Sequence, residues 1–386
     1  MNKLTRRDFI RLSSILGLSA ALSGCGAGGG SNFQGKVLVA GAGAAGMSAG
    51  YLLAQQGIDF EILEANNLHG GRFRVNKAFT DFPISLGAEW LHTNPSELDT
   101  IVNDNSVEIG IEMAGYTSKN LKGHYQDGVY TTEPSNGDSD TKFVGSSWFD
   151  FYDEYIVPSI RDKMRYGVEI SEVDYNNNQV HLTDTAENNY SADKVIITIP
   201  LKILQDGDVT FSPSLPARKQ QAISQAVVWS GFKAFFEFSE KFFPAVITFP
   251  DTRTKDGHWL FYDASHGQIS GRPLLGVFSV GAKAEAYQAM SDEDFQATIL
   301  TTLDDIFDGV ASQTYIKHMT QNWNDEPFAR AAYLQNNAPN WIPREMAKSI
   351  DGKLYFAGSA YTSSQGWSSV HAAARSARAA VNEIMA

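Results

Sequence analysis

Residues 36–72, KVLVAGAGAAGMSAGYLLAQQGIDFEILEANNLHGGR, decide the fold of this chain. The apolar run Val37 to Ala40 suits a buried parallel strand. A G-x-G-x-x-G pattern follows it directly, formed by Gly41, Gly43 and Gly46. In such a turn the three glycines allow a tight bend, the close approach of a pyrophosphate, and close packing of the next helix on the strand. The stretch therefore predicts a strand, a phosphate-binding turn and a helix.

The residues after this turn support the same interpretation. Ala44 to Gln56 is predicted as a helix whose N-terminal N–H groups favour a phosphate, and Gly57 suits its C-terminal cap. Ile58 to Leu63 is predicted as a second strand that ends at Glu64, whose carboxylate can accept hydrogen bonds from both ribose hydroxyls of a dinucleotide. We therefore expect an α/β domain that binds a dinucleotide. A glycine-rich turn without a ligand is the alternative for the glycine pattern taken alone.

Composition limits the classes of partner. The 386 residues with 43% hydrophobic content allow one or two domains, each with a sizeable core. Residues 1–24 contain four basic side chains and one acidic side chain, so the remainder has 27 basic against 43 acidic residues. This negative balance argues against nucleic acid and against an anionic membrane surface. The only cysteine is Cys25, which excludes internal disulfides and a cysteine-based metal site, and we expect no metal ligands elsewhere.

The N-terminal residues indicate a targeting signal rather than a folded element. Thr5 to Ile10, TRRDFI, resembles a twin-arginine export signal, and Leu22 to Cys25 resembles a lipobox in which the cysteine is lipidated. We therefore expect a signal over residues 1–24 and a flexible tether over 25–33. The mature protein would be periplasmic or at the cell surface, attached to the membrane only through Cys25. An unprocessed N-terminal helix is the alternative.

Gly70, Gly71 and Arg72 come after L-E-A and resemble the second phosphate loop of the flavin-dependent amine oxidase superfamily, which includes the monoamine and polyamine oxidases. Further segments resemble this family in its own order: GAEWLH at 87–92, ADKVIITIPL at 192–201, GFKAFFEF at 231–238, NWNDEPFARAAY at 322–333 and FAG at 356–358. The resemblance covers nearly the whole chain after the N-terminal segment. It implies a Rossmann-like FAD-binding domain, a mixed-sheet α+β substrate domain and a reduced helical cap, because residues 93–162 are shorter than the family's helical insertion.

The resemblance also implies how the chain divides and where FAD is held. The FAD domain would be assembled from residues 34–92, 163–205 and 345–386, and the substrate domain from 93–162 and 206–344. Gly87 and Ala88 would place backbone against the isoalloxazine ring, and Val168 would contact the adenine. Ala332 occupies the position of the flavin-linking cysteine of the mammalian enzymes, so FAD would be bound without a covalent link. The implied FAD contacts are Gly41, Gly43, Ala44, Ala45, Gly46, Glu64, Ala65, Gly70, Gly71, Arg72, Gly87, Ala88, Glu89, Trp90, Val168, Trp323, Gly358, Ser359, Ser369 and Val370.

Four side chains are implied in catalysis. Lys233 aligns with the family lysine that holds a water against the flavin N5, although a charged strand residue is more often solvated. Tyr333 falls on the tyrosine of the family's aromatic cage, and Trp367 is expected to replace the second cage aromatic, whose position holds serine. His92 would lie at the substrate entrance. A core aromatic and a surface histidine are the alternatives for Tyr333 and His92.

The function implied is oxidation of an amine C–N bond by FAD, with dioxygen as the acceptor, giving an imine and hydrogen peroxide. The sequence leaves a simple amine, a polyamine and an amino acid open, since no arginine is identifiable as a carboxylate clamp. His92 and the negative charge favour polyamines slightly. One alternative is a flavoenzyme of this fold that oxidises C–C bonds, as carotenoid desaturases and protoporphyrinogen oxidase do. The other is a non-catalytic flavin-binding surface protein, which is suggested by Ser359 and Ala360 in place of the family's glutamate.

Overall fold

The computed structural model describes residues 33–135, 140–335, 338–362 and 368–386. A five-stranded parallel sheet forms the first layer, with its strands in the order Met164–Tyr166, Asp59–Glu64, Lys36–Ala40, Lys194–Ile197 and Leu354–Phe356. Its central strand is fully buried over Val37 to Val39, as expected for a parallel sheet that is covered on both faces.

Two helices cover one face of this sheet. Ala44–Gln55 begins directly after the first strand, and the C-terminal helix Val370–Met385 shares one hydrophobic core with it. Gly57 follows the first helix with a φ of 70°, a conformation that glycine adopts without strain. The predicted strand, turn, helix and second strand are confirmed, with ends that differ by a single residue.

A four-stranded sheet extends the same half of the molecule. Its strands are in the order Asn189–Ala192, Val180–Asp184, Ile170–Asp174 and Thr210–Ser212. Residues of three helices complete the second core beneath it: Leu201–Asp206, Ala217–Gln225 and Trp341–Ala347.

A large mixed sheet forms the other half. Its path is Tyr315–Asn322, Gly231–Phe238, Leu274–Gly281, Gly257–Asp263, Val246–Thr248, Leu121–Gln126 and Val129–Pro134, with Arg253–Thr254 paired to Gly257–Asp263. All neighbours are antiparallel except Val246–Thr248 and Leu121–Gln126. One face packs with residues of the helices Ala282–Gln288, Asp292–Ile306 and Val310–Thr314. Ser291 caps the middle helix by accepting from the Asp294 N–H.

The strand Gly231–Phe238 is buried along its whole length. Phe232, Ala234 and Phe236 lie in the core under the helices, whereas Phe235 packs in a separate cluster with Tyr262. Successive side chains of this strand thus point to opposite faces of the sheet. Lys233 is 3% exposed, so the alternative of a solvated lysine is wrong.

Residues 93–162 depart from a purely helical cap. They contain two short helices, Glu97–Val102 and Trp148–Tyr155, whose buried side chains belong to the same core as the first helix. The hairpin 121–134 instead joins the large sheet. Residues 93–162 therefore pack with both halves of the molecule, and the predicted domain boundary at residue 93 stays a prediction.

Short elements complete the fold. Trp90–Leu91, Thr141–Phe143 and Met113–Gly115 form a three-stranded sheet, and two further pairs join Val75–Asn76 to Ile84–Ser85 and Val228–Trp229 to Tyr333–Leu334. Single 3₁₀ turns occur at Gly71–Phe73, Val157–Ser159 and Arg161–Lys163. Among the helices of the described ranges, none combines the length and apolar character needed to cross a membrane. The predicted signal and Cys25 lie outside the described residues.

Candidate active site

A cavity of about 740 Å³ lies where residues of the parallel sheet and of the large mixed sheet meet. Every residue predicted to contact FAD lines it except Gly46, and so do Lys233, Tyr333 and His92. These residues come from positions between 41 and 370, so folding gathers the predicted site into one place. Trp367 lies outside the described residues, and the individual roles stay predictions.

Each of the three glycines in the turn meets a different local requirement. Gly41 has a φ of 115°. A Cβ at Gly43 would meet no atom within 4 Å, so this position leaves open space in the cavity wall. A Cβ at Gly46 would lie 1.8 Å from the Gly41 carbonyl oxygen, so the helix can pack on the turn only through glycine. This packing explains why Gly46 does not line the cavity.

The helix after the turn begins at the cavity. Its N-cap is Gly43, no side chain caps its first turn, and that turn contains no acidic residue. The free N–H groups and the helix dipole therefore favour an anion at this end.

Glu64 lies at the end of the second strand, as predicted. Its carboxylate accepts from the Ala42 N–H at 2.5 Å and from the Asn66 N–H at 2.8 Å. Burial raises the pKa of Glu64 above its usual value, and these two hydrogen bonds oppose the shift. The carboxylate is thus fixed beside the turn where a ribose would lie.

Arg72 follows the second glycine pair and donates to the Ala332 carbonyl oxygen. Burial lowers the pKa of this guanidinium, and it forms no ion pair with any residue in the described part of the chain. A buried cation beside an uncapped helix start and an open glycine turn fits an anionic ligand such as a pyrophosphate. The residues present therefore fit FAD.

Gly87 is required by the protein itself. A Cβ there would lie 2.0 Å from the Arg72 carbonyl oxygen and 2.8 Å from Cζ2 of Trp323. The Ala88 N–H donates to the same carbonyl at 3.0 Å, and the Trp323 Nε1–H donates to the Leu86 carbonyl at 3.0 Å. The prediction explained this glycine by the approach of the flavin. The structure gives packing against Arg72 and Trp323 as a sufficient reason.

Lys233 donates all three of its N–H bonds to protein acceptors. Its Nζ is 2.9 Å from the Ser85 carbonyl oxygen, 3.2 Å from that of Gly87 and 2.7 Å from Oε2 of Glu89. Burial lowers the pKa of Lys233, and the Glu89 carboxylate opposes that shift. The predicted water on Lys233 would have to displace one of these three acceptors.

Glu89, predicted as a flavin contact, directs its carboxylate at two lysines. Its Oε1 is 2.9 Å from Nζ of Lys142, and its Oε2 also accepts from the Tyr262 hydroxyl at 2.6 Å. Burial alone would raise the pKa of Glu89, but the ammonium groups of Lys142 and Lys233 lower it to about 2. Sequence reasoning missed Lys142 and Tyr262, because neither residue belongs to a recognisable motif.

Tyr333 lies on the short strand that pairs with Val228–Trp229, and its ring packs at an angle on Trp229 with 6.1 Å between centroids. Burial raises the pKa of Tyr333 above its usual range, so the phenol is neutral. His92 is half exposed, and its Nδ1 lies 3.0 Å from Oδ1 of Asp140. The tyrosine is thus a polar aromatic wall, and the histidine lies on the more open part of the lining.

Two further residues near Tyr333 were missed. Arg253 and His258 line the cavity, and Arg253 forms no ion pair with any residue that the structure describes. Burial, aided by the Arg253 charge, lowers the pKa of His258 to about 4. No arginine was identifiable from the sequence as a carboxylate clamp, and Arg253 lines the same cavity as Tyr333.

Two family models match the chain. Flavin containing amine oxidoreductase matches residues 152–385, which is more than half of the chain, and an NAD(P)-binding Rossmann-like domain matches residues 39–103. Polyamine oxidase 3 of Oryza sativa subsp. japonica is 22% identical over 424 aligned positions, which cover 88% of this chain and 86% of that protein. Lysine-specific histone demethylase 2 of Homo sapiens is 26% identical over 198 residues, which cover 49% of this chain and only 24% of the relative.

Solved structures share the fold at low identity. Wild-type putrescine oxidase bound to putrescine superposes with a TM-score of 0.76 at 14% identity, covering 91% of this chain and 99% of that one. Cyclohexylamine oxidase from Brevibacterium oxydans IH-35A gives 0.74 at 15% identity, covering 92% and 99%. The predicted fold class, enzyme class and cofactor are confirmed. The chain belongs to the family of flavin-containing amine oxidoreductases, and FAD is the cofactor of these homologues.

Proposed function

We propose that this protein is an FAD-dependent oxidase of amines. When bound, FAD would accept a hydride from the carbon next to the amine nitrogen and pass the electrons to dioxygen, so that the substrate leaves as an imine and hydrogen peroxide forms. One observation carries the proposal: a single cavity is lined both by the glycine turns and by Lys233 and Tyr333. The family match supports amine oxidation in general.

The chain's own residues would bind FAD and orient the amine. The helix start at Ala44 and the guanidinium of Arg72 would hold the pyrophosphate, and Glu64 would accept from the ribose hydroxyls. Tyr333 would form one wall of the substrate site and exclude water while orienting a neutral amine. Because its phenol stays protonated, it adds no charge that would hold the amine as an ammonium ion.

The substrate side of the cavity contains groups of both signs. Asp140 is paired with His92, whereas Arg253 has no carboxylate partner among the described residues. Polyamine oxidase 3 and putrescine oxidase favour a polyamine, as the sequence does. Arg253 favours an amine that carries a carboxylate. Both classes belong in the test.

A panel assay separates the proposal from its alternatives. The FAD-loaded protein is incubated with simple amines, polyamines and amino acids, and peroxide is measured. We expect peroxide with at least one class of amine. Peroxide or flavin reduction only with a polyene or porphyrinogen would support C–C oxidation. No reduction of the flavin by any compound would support a flavin-binding protein without activity.

We also propose that the protein is exported by the twin-arginine route and lipid-anchored through Cys25. The support is the TRRDFI and LSGC segments of the sequence. Fractionation of bacteria expressing the full chain tests it. Replacement of Arg6 and Arg7 by lysine should leave the protein in the cytoplasm, and C25S should release it from the membrane fraction. An unchanged distribution in both variants would overturn the proposal.

A further inference from the structure

Four buried side chains next to the cavity form one charged cluster, which we call the Lys142 cluster: Lys142, Glu89, Lys233 and Tyr262. The two lysines are 2% and 3% exposed and the glutamate 8%. Each carboxylate oxygen of Glu89 accepts from a different lysine, Oε1 from Lys142 at 2.9 Å and Oε2 from Lys233 at 2.7 Å. With both lysines charged the cluster has a net charge of +1.

Both ammonium groups have full sets of acceptors. Lys142 donates to Glu89 and to the carbonyl oxygens of Ala264 at 2.8 Å and Asp263 at 3.3 Å. Lys233 donates to Glu89, Ser85 and Gly87. A buried charge is tolerated when it is paired and fully hydrogen-bonded, and both lysines meet this condition. Neither needs a water to complete its donors.

The cluster joins separate parts of the fold. Lys142 lies on the strand Thr141–Phe143, within residues 93–162, whereas Lys233 lies on the large sheet and Glu89 follows the Gly87–Ala88 backbone that lines the cavity. Lys142 does not line the cavity itself. Any effect it has on a ligand there must act through Glu89 and Lys233, or through its charge.

We propose that Lys142 and Glu89 are positioning residues: Lys142 fixes the Glu89 carboxylate, Glu89 in turn pairs with the Lys233 ammonium, and the resulting net positive charge raises the reduction potential of FAD in the cavity. This rests on the proposed function only in that FAD occupies the cavity. A fixed positive charge favours the reduced form of a bound flavin, because reduction adds negative charge. The role differs from the water-holding role expected of Lys233, since its charge, rather than a free N–H, is what reaches the ligand.

The other titratable groups near the cluster do not cancel this charge. Tyr262 and Tyr116 face it, and burial raises the pKa of both phenols, so they stay neutral. The Asp263 carboxylate is paired with Lys241 at 2.6 Å, and burial lowers the pKa of the nearby His266 imidazole. Glu89, with a pKa of about 2, stays ionised across the working range.

The test is the midpoint potential of the FAD-loaded protein, measured against reference dyes from mildly acid to alkaline pH. Lys142→Gln takes the cluster from +1 to 0 and should lower the potential by about 30 mV or more, which corresponds to tenfold in a two-electron reduction equilibrium. Glu89→Gln takes it to +2 where both lysines keep their protons, so it should raise the potential at the acid end of the pH range. The rise should vanish at higher pH, as one uncompensated lysine loses its proton. Lys142→Arg keeps the charge and should keep the wild-type potential.

A merely structural cluster would behave differently. Loosening the site would move Lys142→Gln and Glu89→Gln in the same direction, or leave both at the wild-type potential, and either result would overturn the proposal. Lys219→Gln is the matched control, because Lys219 is equally buried and donates to the carbonyls of Glu345, Met346 and Lys348 away from the cavity. The Lys219→Gln variant should be less stable than the wild type, and the midpoint potential of its FAD should be unchanged.

Two further measurements keep the outcome unambiguous. Far-ultraviolet circular dichroism and FAD content establish that each variant is folded and loaded. If Lys142→Gln does not load, Lys142→Arg against Glu89→Gln still provides the comparison, and equal potentials in these two at mildly acid pH would contradict the proposal. Because the readout is a potential and not turnover, the proposal stands or fails independently of whether any amine is oxidised.

Discussion

Lys233 is a charged side chain on a strand whose eight residues are all buried. Its position on the sheet follows from alternation along the strand, which sequence alone provides. Its partner Glu89 is 144 residues away in the chain, and no local pattern encodes that contact. The face of the sheet on which Lys233 lies was therefore predictable from the sequence, whereas its ion pair with Glu89 was not.

Lys233→Met should leave FAD bound, because the phosphate and ribose contacts lie elsewhere in the cavity. Glu89 keeps Lys142 as its partner, so the fold should survive. We expect flavin reduction by an effective amine, or reoxidation by dioxygen, to slow roughly tenfold or more. Stopped-flow absorbance measures both steps. Unchanged rates for both steps would remove Lys233 from the mechanism.

Two histidines should make the protein sensitive to acid. Burial lowers the pKa of His258 and of His371 to about 4. Both bind a proton more readily in the unfolded chain, so stability falls as the pH drops from 6.5 towards 4. We expect the free energy of unfolding to fall by on the order of 2 kcal/mol for each histidine. This is less than the full pKa shift would give, because solvent partly reaches both side chains.

Urea unfolding at neutral pH and at about pH 4.5 measures this loss. His258→Asn and His371→Asn should each flatten the pH dependence, and the exposed His181→Asn should not. If the free energy of unfolding depended on pH equally in all three variants, the acid sensitivity could not be assigned to His258 and His371.

At the scale of elements, the turn between the first strand and first helix combines two kinds of glycine. Gly46 is required by the fold, since its Cβ would meet the Gly41 carbonyl. A Cβ at Gly43 would face open space, so we expect this glycine to matter for a ligand and not for packing. One sequence motif therefore serves both stability and binding, and substitution separates the two.

Gly46→Ala should lower the free energy of unfolding by about 1–3 kcal/mol, because an extra methyl group is forced against backbone. Gly43→Ala should change it by less than about 1 kcal/mol, because alanine is a poorer N-cap than glycine but restricts the unfolded chain, while weakening FAD binding roughly tenfold or more. Urea titration of the FAD-free protein and fluorescence titration with FAD measure the two effects. A fully stable Gly46→Ala, or normal FAD affinity in Gly43→Ala, would show that this division is wrong.

How far the sequence predicts an element depends on how local its determinants are. The strand, turn and helix over residues 36–64 are encoded within 29 consecutive positions, and their ends were predicted to within one residue. The hairpin 121–134 was not predicted, because its place in the large sheet depends on pairing with Val246–Thr248. Lys142 was missed for the same reason: its contacts are made by distant parts of the chain.

At the scale of the molecule, the cavity is built from segments spread across the described chain and lies between two sheets. A ligand that fills it touches both halves, so binding should stabilise the whole structure. FAD in hundredfold excess over its dissociation constant would add about 2.7 kcal/mol. Removal of FAD should therefore lower the midpoint of thermal unfolding, and equal midpoints with and without FAD would show that FAD does not bind the folded protein.

FAD should be releasable without breaking a bond. Ala332 stands at the position of the family's flavin-linking cysteine, and the only cysteine of the chain is Cys25. Acid precipitation should leave all the FAD in the supernatant, measured by absorbance and mass spectrometry. Flavin retained on the denatured chain would contradict non-covalent binding.

Anaerobic titration of the FAD-loaded protein with amines tests the central claim most directly. The absorbance of the oxidised flavin is followed while simple amines, polyamines and amino acids are added in turn. We expect at least one amine to bleach the flavin band and dioxygen to restore it. A fully loaded, folded protein whose flavin no amine bleaches would contradict it.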